Sequence, residues 1–226
     1  MCGRFVTPDE MALEREFRRV PLPFSYRPTF NCAPTSQVPA LRGGSAGIEW
    51  ALLRWGLIPF FARGEAPKYS TINARIETIE TAASWRQPWK RAQRCLLPAL
   101  GFYEWHLGAN GHKQPFYIHL ADQEVFGFAG LWDRSVPPKG DAVESCTIIT
   151  LPANALLAEI HNNKQRMPAI LRREDQEAWL TGSLDDARAA LAPYPADLMV
   201  AYAVSTRVNS PRNDGPDLIA PMVRTS

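Results

Sequence analysis

Cysteine and histidine are scarce in this chain, with four of each among 226 residues. The cysteines stand at 2, 32, 95 and 146, with no Cys-x-x-Cys and no knuckle spacing. That excludes a zinc ribbon and, in a chain this long, a disulfide framework. Long apolar runs are also missing. No segment approaches the roughly 18 apolar residues of a membrane span, and the start, MCGRFVTPDE, lacks the basic-then-apolar pattern of a secretory leader. The expectation is a cytoplasmic chain with free thiols and no membrane contact. No Gly-rich phosphate loop, internal repeat or metal-ligand cluster occurs, so neither cofactor nor metal is expected. The net charge of +2 neither demands nor forbids a polyanionic partner. Any nucleic-acid site must come from local clusters of Arg and Lys.

What is present is ordinary globular composition, 46% hydrophobic and 21% charged, in a length that buries a full core. Thr7-Pro8-Asp9-Glu10 reads as a helix start capped by Thr7, with Leu13, Phe17 and Val20 on one face. Residues 21–47 read as loop, 48–56 as strand, and 57–72 as irregular. Asn73-Ala74-Arg75 precedes a short helical pattern. In the basic and aromatic segment 84–94, the spacing of Arg86, Lys90 and Arg94 predicts one shared helical face. β-like runs follow at 95–105, 114–121, 124–132 and 145–151, with a turn at Asn110-Gly111. Helices are expected at 174–181 and 184–191, the second capped by Ser183, then a strand at 198–205 and an extended tail from about 210. The pattern is α+β over 1–226, one domain and a monomer, with a mostly antiparallel, barrel-like core and peripheral helices.

Cys2 precedes Gly3, and initiator Met is usually removed before a small second residue. Mature Cys2 would then offer an α-amine and a thiol, with ordinary pKa values of about 7.7–8 and 8.5. Such a pair suits an aldehyde. The amine condenses to an imine, and the thiol closes a five-membered thiazolidine with the advantage of an intramolecular neighbour. A Cys at a frayed terminus is equally an accident of sequence. Arg4, two residues on, would depress both pKa values. Glu104, among the aromatics of Gly101-Phe102-Tyr103-Glu104-Trp105, is either a solvent-facing strand residue or a desolvated acid/base. His161 ends an apolar helical pattern and is either structural or a proton carrier. Asn73 and Arg75 face the same way if extended. Phe60 and Phe61 are either core or an exposed tip for base stacking. The other histidines, 106, 112 and 119, read as structural, and Cys95 and Cys146 as buried apolar residues.

Several motifs in order together resemble the SRAP family (SOS-response-associated peptidase-like proteins). They are Met1-Cys2-Gly3-Arg4-Phe5, Asn31-Cys32-Ala33-Pro34, Trp55-Gly56-Leu57-Ile58-Pro59, Ile72 to Thr78, Arg94-Cys95-Leu96-Leu97-Pro98, Gly101 to Trp105, Arg166 to Leu171, and Val204-Ser205 with Val208-Asn209. The resemblance implies a covalent thiazolidine link between Cys2 and the aldehyde of an abasic site in single-stranded DNA. It implies Asn73 as the positioning amide, Glu104 as general acid/base and His161 as a proton carrier on the sugar. DNA contacts are implied at Arg4, Arg75, Arg166, Phe60, Phe61, Asn31 and Pro34. The peptidase name implies removal of Met1, by the chain itself or by ordinary processing. An imine intermediate implies a lyase side activity by β-elimination. The chain departs from the family where Asn162-Asn163-Lys164-Gln165 separates His161 from Arg166. It also carries Phe60-Phe61 where tryptophan is common. Two rival readings are a passive single-stranded DNA or modified-base binding module using the basic 86–94 segment, and an N-terminal-nucleophile amidotransferase, since those also begin Met-Cys-Gly.

Overall fold

A computed structural model of the chain describes residues 2–17, 20–44 and 47–222. Strands β1 (Phe5–Val6), β2 (Gln37–Gly44), β3 (Gly47–Trp55), β4 (Asn73–Arg75), β5 (Arg94–Ala99) and β6 (Gly101–Leu107) occupy the first half. The second half holds β7 (Lys113–Leu120), β8 (Phe126–Ser135), β9 (Val143–Pro152), β10 (Arg166–Pro168), β11 (Ile170–Leu171) and β12 (Met199–Ala203). Helices are short: α1 (Glu10–Glu16), α2 (Arg86–Lys90), α3 (Ala155–Ile160), α4 (Gln176–Thr181) and α5 (Leu184–Ala189).

Strands β9, β3, β2, β5 and β8 pair in that order, and β8 pairs back to β9, closing a ring. The barrel-like, α+β reading is therefore correct. Its pairings are antiparallel except β3–β9, and β4 adds to β9 in parallel as well. Closure explains why β5 (Arg-Cys-Leu-Leu-Pro-Ala) is buried at every residue, as an apolar run without alternation predicts. Trp179 of α4 seals the neighbouring face, donating from Nε1 to the Cys95 carbonyl at 2.9 Å.

A second, antiparallel sheet runs β1-β6-β7-β12. Its strands alternate as the two-residue period requires. Phe5, Phe102 and Ile118 join the main core, while Val6, Tyr103 and Tyr117 form a smaller cluster with Val204 and Val208. Aromatic edges join the sheets: Phe5 meets Trp55 at 5.0 Å and Phe128 at 5.8 Å, and Phe102 meets Phe128 at 5.9 Å. Each such contact contributes about 0.5–1.5 kcal/mol beyond area burial. The β1–β6 register, Phe5↔Phe102 and Val6↔Gly101, lays the N-terminus along the strand that carries Glu104.

Several local expectations are corrected. The cap of α1 is Asp9, which accepts from the Ala12 N–H, not Thr7; Thr7 instead exchanges bonds with Thr29. The segment 21–47 contains β2, where Val38 and Ala40 are buried despite Pro39 between them. The run 95–105 breaks at Leu100 into strands of different sheets. Arg94 does not share a face with Arg86 and Lys90. Ala92, at φ 51°, ends the helix, and Arg94 begins β5 with its guanidinium on the carbonyls of Gly182 and Ser183. The tail is not simply extended: Pro216–Ile219 form a 3₁₀ turn, and Val204 bridges Pro221. Ser183 caps α5 as expected, with a reciprocal bond to Asp186, and Gly111 takes the positive φ of the β6–β7 turn.

Candidate active site

The site is built where β6 emerges from between the sheets. Phe102 faces the core, and the strand period sends Glu104 to the same face two residues on, leaving it 2% exposed. The N-terminus reaches it by extending the β1 register, with the Tyr103 N–H donating to the Arg4 carbonyl at 3.0 Å. Cys2 is fully buried, with Sγ 3.7 Å from the Arg4 carbonyl.

Helix α3 delivers His161. Asn154 caps its first turn by accepting from the Leu157 N–H, and His161 is its C-cap. Three bonds clamp this end to β6. The Asn162 side chain accepts from the Leu107 N–H at 3.0 Å and donates to the Leu107 carbonyl at 2.9 Å. His106 Nδ1 lies 3.0 Å from the Glu159 carbonyl. His161 Nδ1 lies 2.9 Å from the Arg166 carbonyl. A carbonyl only accepts, so Nδ1 carries the proton and Nε2 is the basic nitrogen. The Glu104 carboxylate is 3.8 Å from that Nδ1, beyond hydrogen-bonding reach.

Burial dominates the electrostatics. It pushes the Glu104 carboxyl up from 4.5 to about 7 and the His161 imidazole down from 6.5 to about 4. It also raises the Cys2 thiol well above its ordinary range, with the Glu104 carboxylate adding to the effect. The expectation that Arg4 depresses the Cys2 thiol is thus overturned. Arg4 is itself half-buried and donates to the Gly3 carbonyl at 2.9 Å, and its charge acts on Cys32, whose thiol burial nonetheless drives up to about 12. Burial thus favours the thiol over the thiolate at Cys2.

Asn73 and Arg75 sit on β4 in register with Ile148 and Thr150. Asn73 is 7% exposed, and neither atom of its amide has a hydrogen-bond partner among the described residues. Unsatisfied buried amides are costly, so this one is poised for a ligand. Arg75 is exposed. Both line one cleft with Tyr69, Ser84 and Trp85. Glu104 and His161 open into another of about 360 Å³, walled by Trp105, Asn163 and Asn209 and flanked by Lys113 and Lys164. Trp105 is fixed there by donating from Nε1 to the Asn209 Oδ1 at 2.8 Å.

The remaining assigned residues divide into surface and scaffold. Phe60 and Phe61 form an exposed 3₁₀ tip, 41% and 48% accessible, with the Arg91 guanidinium 5.1 Å from the Phe60 ring centroid. Arg166, through its two terminal guanidinium nitrogens, and Asn31, through its amide nitrogen, bond to the protein itself. Arg166 is buried, binds both carboxylate oxygens of Glu77 and donates to the Thr150 carbonyl at 2.6 Å. Asn31 Nδ2 lies 2.9–3.2 Å from the carbonyls of Val208, Ser210 and Asn213, holding the C-terminal segment. Pro34 is half-buried beside Thr35, which takes a positive φ of 78°. Sequence reasoning missed the Asn162 clamp, the Trp105–Asn209 pair and the Glu77–Arg166 pair, all formed across long sequence separations. Met1 lies outside the described residues.

The sequence profile of the family described as SOS response associated peptidase (SRAP) matches residues 1–211. The chain is 39% identical to the Bacillus subtilis protein named abasic site processing protein YoqW, over 97% of this chain and 99% of that one. It is 33% identical to the Gallus gallus abasic site processing protein HMCES, over 87% of this chain and 67% of that one. A solved structure from Bacteroides thetaiotaomicron superposes with a TM-score of 0.84 at 28% identity, covering 98% of this chain and 100% of that one. One from Bordetella bronchiseptica gives 0.79 at 32% identity, covering 90% and 100%. With its profile match spanning the motifs at Cys2, Asn73, Glu104 and Arg166, the chain belongs to the SOS response associated peptidase family.

Proposed function

We propose that this protein processes abasic sites in single-stranded DNA by forming a covalent thiazolidine through Cys2 once Met1 is removed. The single observation that carries the reading is that Cys2 and Glu104 are buried together, with His161 3.8 Å from the Glu104 carboxylate. The relatives named for abasic-site processing support the substrate class.

The amine of mature Cys2 attacks the ring-opened aldehyde, and loss of one water gives an imine. The sulfur then adds to the imine carbon, and its proton passes by way of Glu104 to the imine nitrogen. That nitrogen becomes the ring N–H as the addition turns the C=N double bond into a single bond. Glu104, tuned by burial to about 7, suits both directions of proton transfer near neutrality. Neutral His161, basic at Nε2, moves a proton on the sugar as its ring opens. Asn73, with its unsatisfied amide, orients the amine or the sugar. Arg4 and Arg75 hold flanking phosphates, and Phe60 and Phe61 stack on a neighbouring base. The imine acidifies the adjacent C2′–H, so slow strand cleavage by β-elimination accompanies crosslinking.

The test is a denaturing gel of mature protein with abasic single-stranded DNA. A boil-resistant band lost in Cys2→Ala supports the reading. Binding without such a band favours the passive module instead. Ammonia release from glutamine that depends on Cys2 favours the amidotransferase.

A further inference from the structure

The turn between His161 and Arg166 has a role the site described above does not use. The N–H groups of Lys164 and Gln165 both donate to the His161 carbonyl, at 3.2 and 2.8 Å. The Asn162 amide ties the same turn to Leu107. Lys164 is therefore carried on a fixed turn rather than a loose loop. Opposite it, Lys113 begins β7 in register with Leu107. Both side chains are exposed, and both line the cleft that holds Glu104, His161 and Trp105.

The charge balance of this cleft is informative. Its acid is buried and shifted toward the neutral form, whereas its two lysines face solvent. At neutral pH the mouth is cationic beside an aromatic wall. Arg166, the nearest guanidinium in sequence, is buried on Glu77 and Thr150 and does not line the cleft.

We infer that Lys113 and Lys164 form a cationic rim that binds one backbone phosphate of the DNA strand adjoining the lesion. This rests on the abasic-site reading and deepens it by naming the groups that hold the strand at the Glu104 side. Lysine serves here as a point charge for a phosphodiester.

The test separates rim from crosslink by using mature full-length protein and single-stranded oligonucleotides with a tetrahydrofuran spacer, which has no aldehyde and cannot be captured. Fluorescence anisotropy over a salt series compares wild type with K113Q, K164Q, the double variant and K164R. Because the rim holds one phosphate, the double variant lowers the slope of log K against log salt by about 0.7 and binds about tenfold more weakly at low salt, with each single variant between it and wild type. K164R restores affinity to within about twofold. A methylphosphonate walked along the strand weakens wild type at one position next to the spacer and does not weaken the double variant there. Equal slopes in wild type and double variant, or no sensitive phosphate, overturn the proposal. Competition by inorganic phosphate as strong as by oligonucleotide overturns the strand assignment in favour of a small anion. If the rim is found but genuine abasic DNA gives no boil-resistant adduct, the crosslinking reading fails while the rim stands.

Discussion

Glu104 and His161 approach to 3.8 Å in a shared buried setting, yet burial drives both toward their uncharged forms. With burial opposing charge on both, they are not held as an ion pair. A neutral imidazole and a carboxyl poised near neutrality can each give or take a proton without a large electrostatic cost.

The first prediction concerns rate. Glu104→Gln removes the group titrating at about 7. Crosslinking should slow by about 10²–10³-fold, and the inflection near neutrality in its pH profile should vanish. Single-turnover gels across pH 5.5–8.5 measure this.

The second concerns stability against pH. The folded pKa of Glu104 is raised from 4.5 to about 7. Its contribution is therefore full below 4.5 and lost as pH rises through 7, by an amount on the order of 3 kcal/mol. The folded pKa of His161 is lowered from 6.5 to about 4, so its contribution is full above 6.5 and lost as pH falls through 4. The two oppose each other between those limits. Urea melts should show Glu104→Gln removing the decline toward neutral pH and His161→Asn removing the decline toward acid.

The architecture was largely legible in the residues because its signals are local. The unbroken apolar run of β5, the turn at Gly111 and the Ser183 cap all show in a short window. The β3–β9 pairing that completes the ring, and the β1–β6 and β7–β12 pairings of the second sheet, join residues far apart in sequence, which no window contains. Arg94 illustrates the limit. Its four-residue spacing from Lys90 suggested a helical face, but Ala92 breaks the helix and tertiary contacts bury the side chain. At the site, the choice of Cys2, Glu104 and His161 as candidates was legible in ordered motifs. The pKa logic of Cys2 was not, because the thiol's surroundings are set by folding rather than by its neighbour Arg4.

Arg166 should behave as scaffold. Its guanidinium joins Glu77 to Thr150, and its carbonyl receives the His161 Nδ1 proton. Arg166→Ala should destabilise the protein by about 2–3 kcal/mol, less than a fully buried pair because the Glu77 side chain is 48% exposed. Glu77→Gln should cost about 1 kcal/mol. Chemical denaturation checks both, and a larger effect of Arg166→Ala on DNA affinity than on stability would contradict the assignment.

Gly130 is required by the barrel. A Cβ there would lie 2.4 Å from Leu97 Cδ1, 2.7 Å from the Thr147 carbonyl oxygen and 2.9 Å from Cys95 Sγ. Gly130→Ala should cost about 2–3 kcal/mol and lower Tm by roughly 4–12 °C. Gly111→Ala, in open space at φ 78°, should cost about 1 kcal/mol. Thermal melts that rank the two the other way would refute the packing argument.

The aromatic tip should act on DNA alone. The double change Phe60→Ala and Phe61→Ala should leave stability within about 0.5 kcal/mol and weaken single-stranded DNA binding by about tenfold. Anisotropy and melting curves on the same samples separate the two effects.

Intact-mass spectrometry of the mature chain, before and after mixing with abasic single-stranded DNA, tests the covalent account most directly. The account predicts a species whose mass is the sum of protein and oligonucleotide less one water, absent for Cys2→Ala. An unchanged protein mass, or the same adduct from Cys2→Ala, would contradict it.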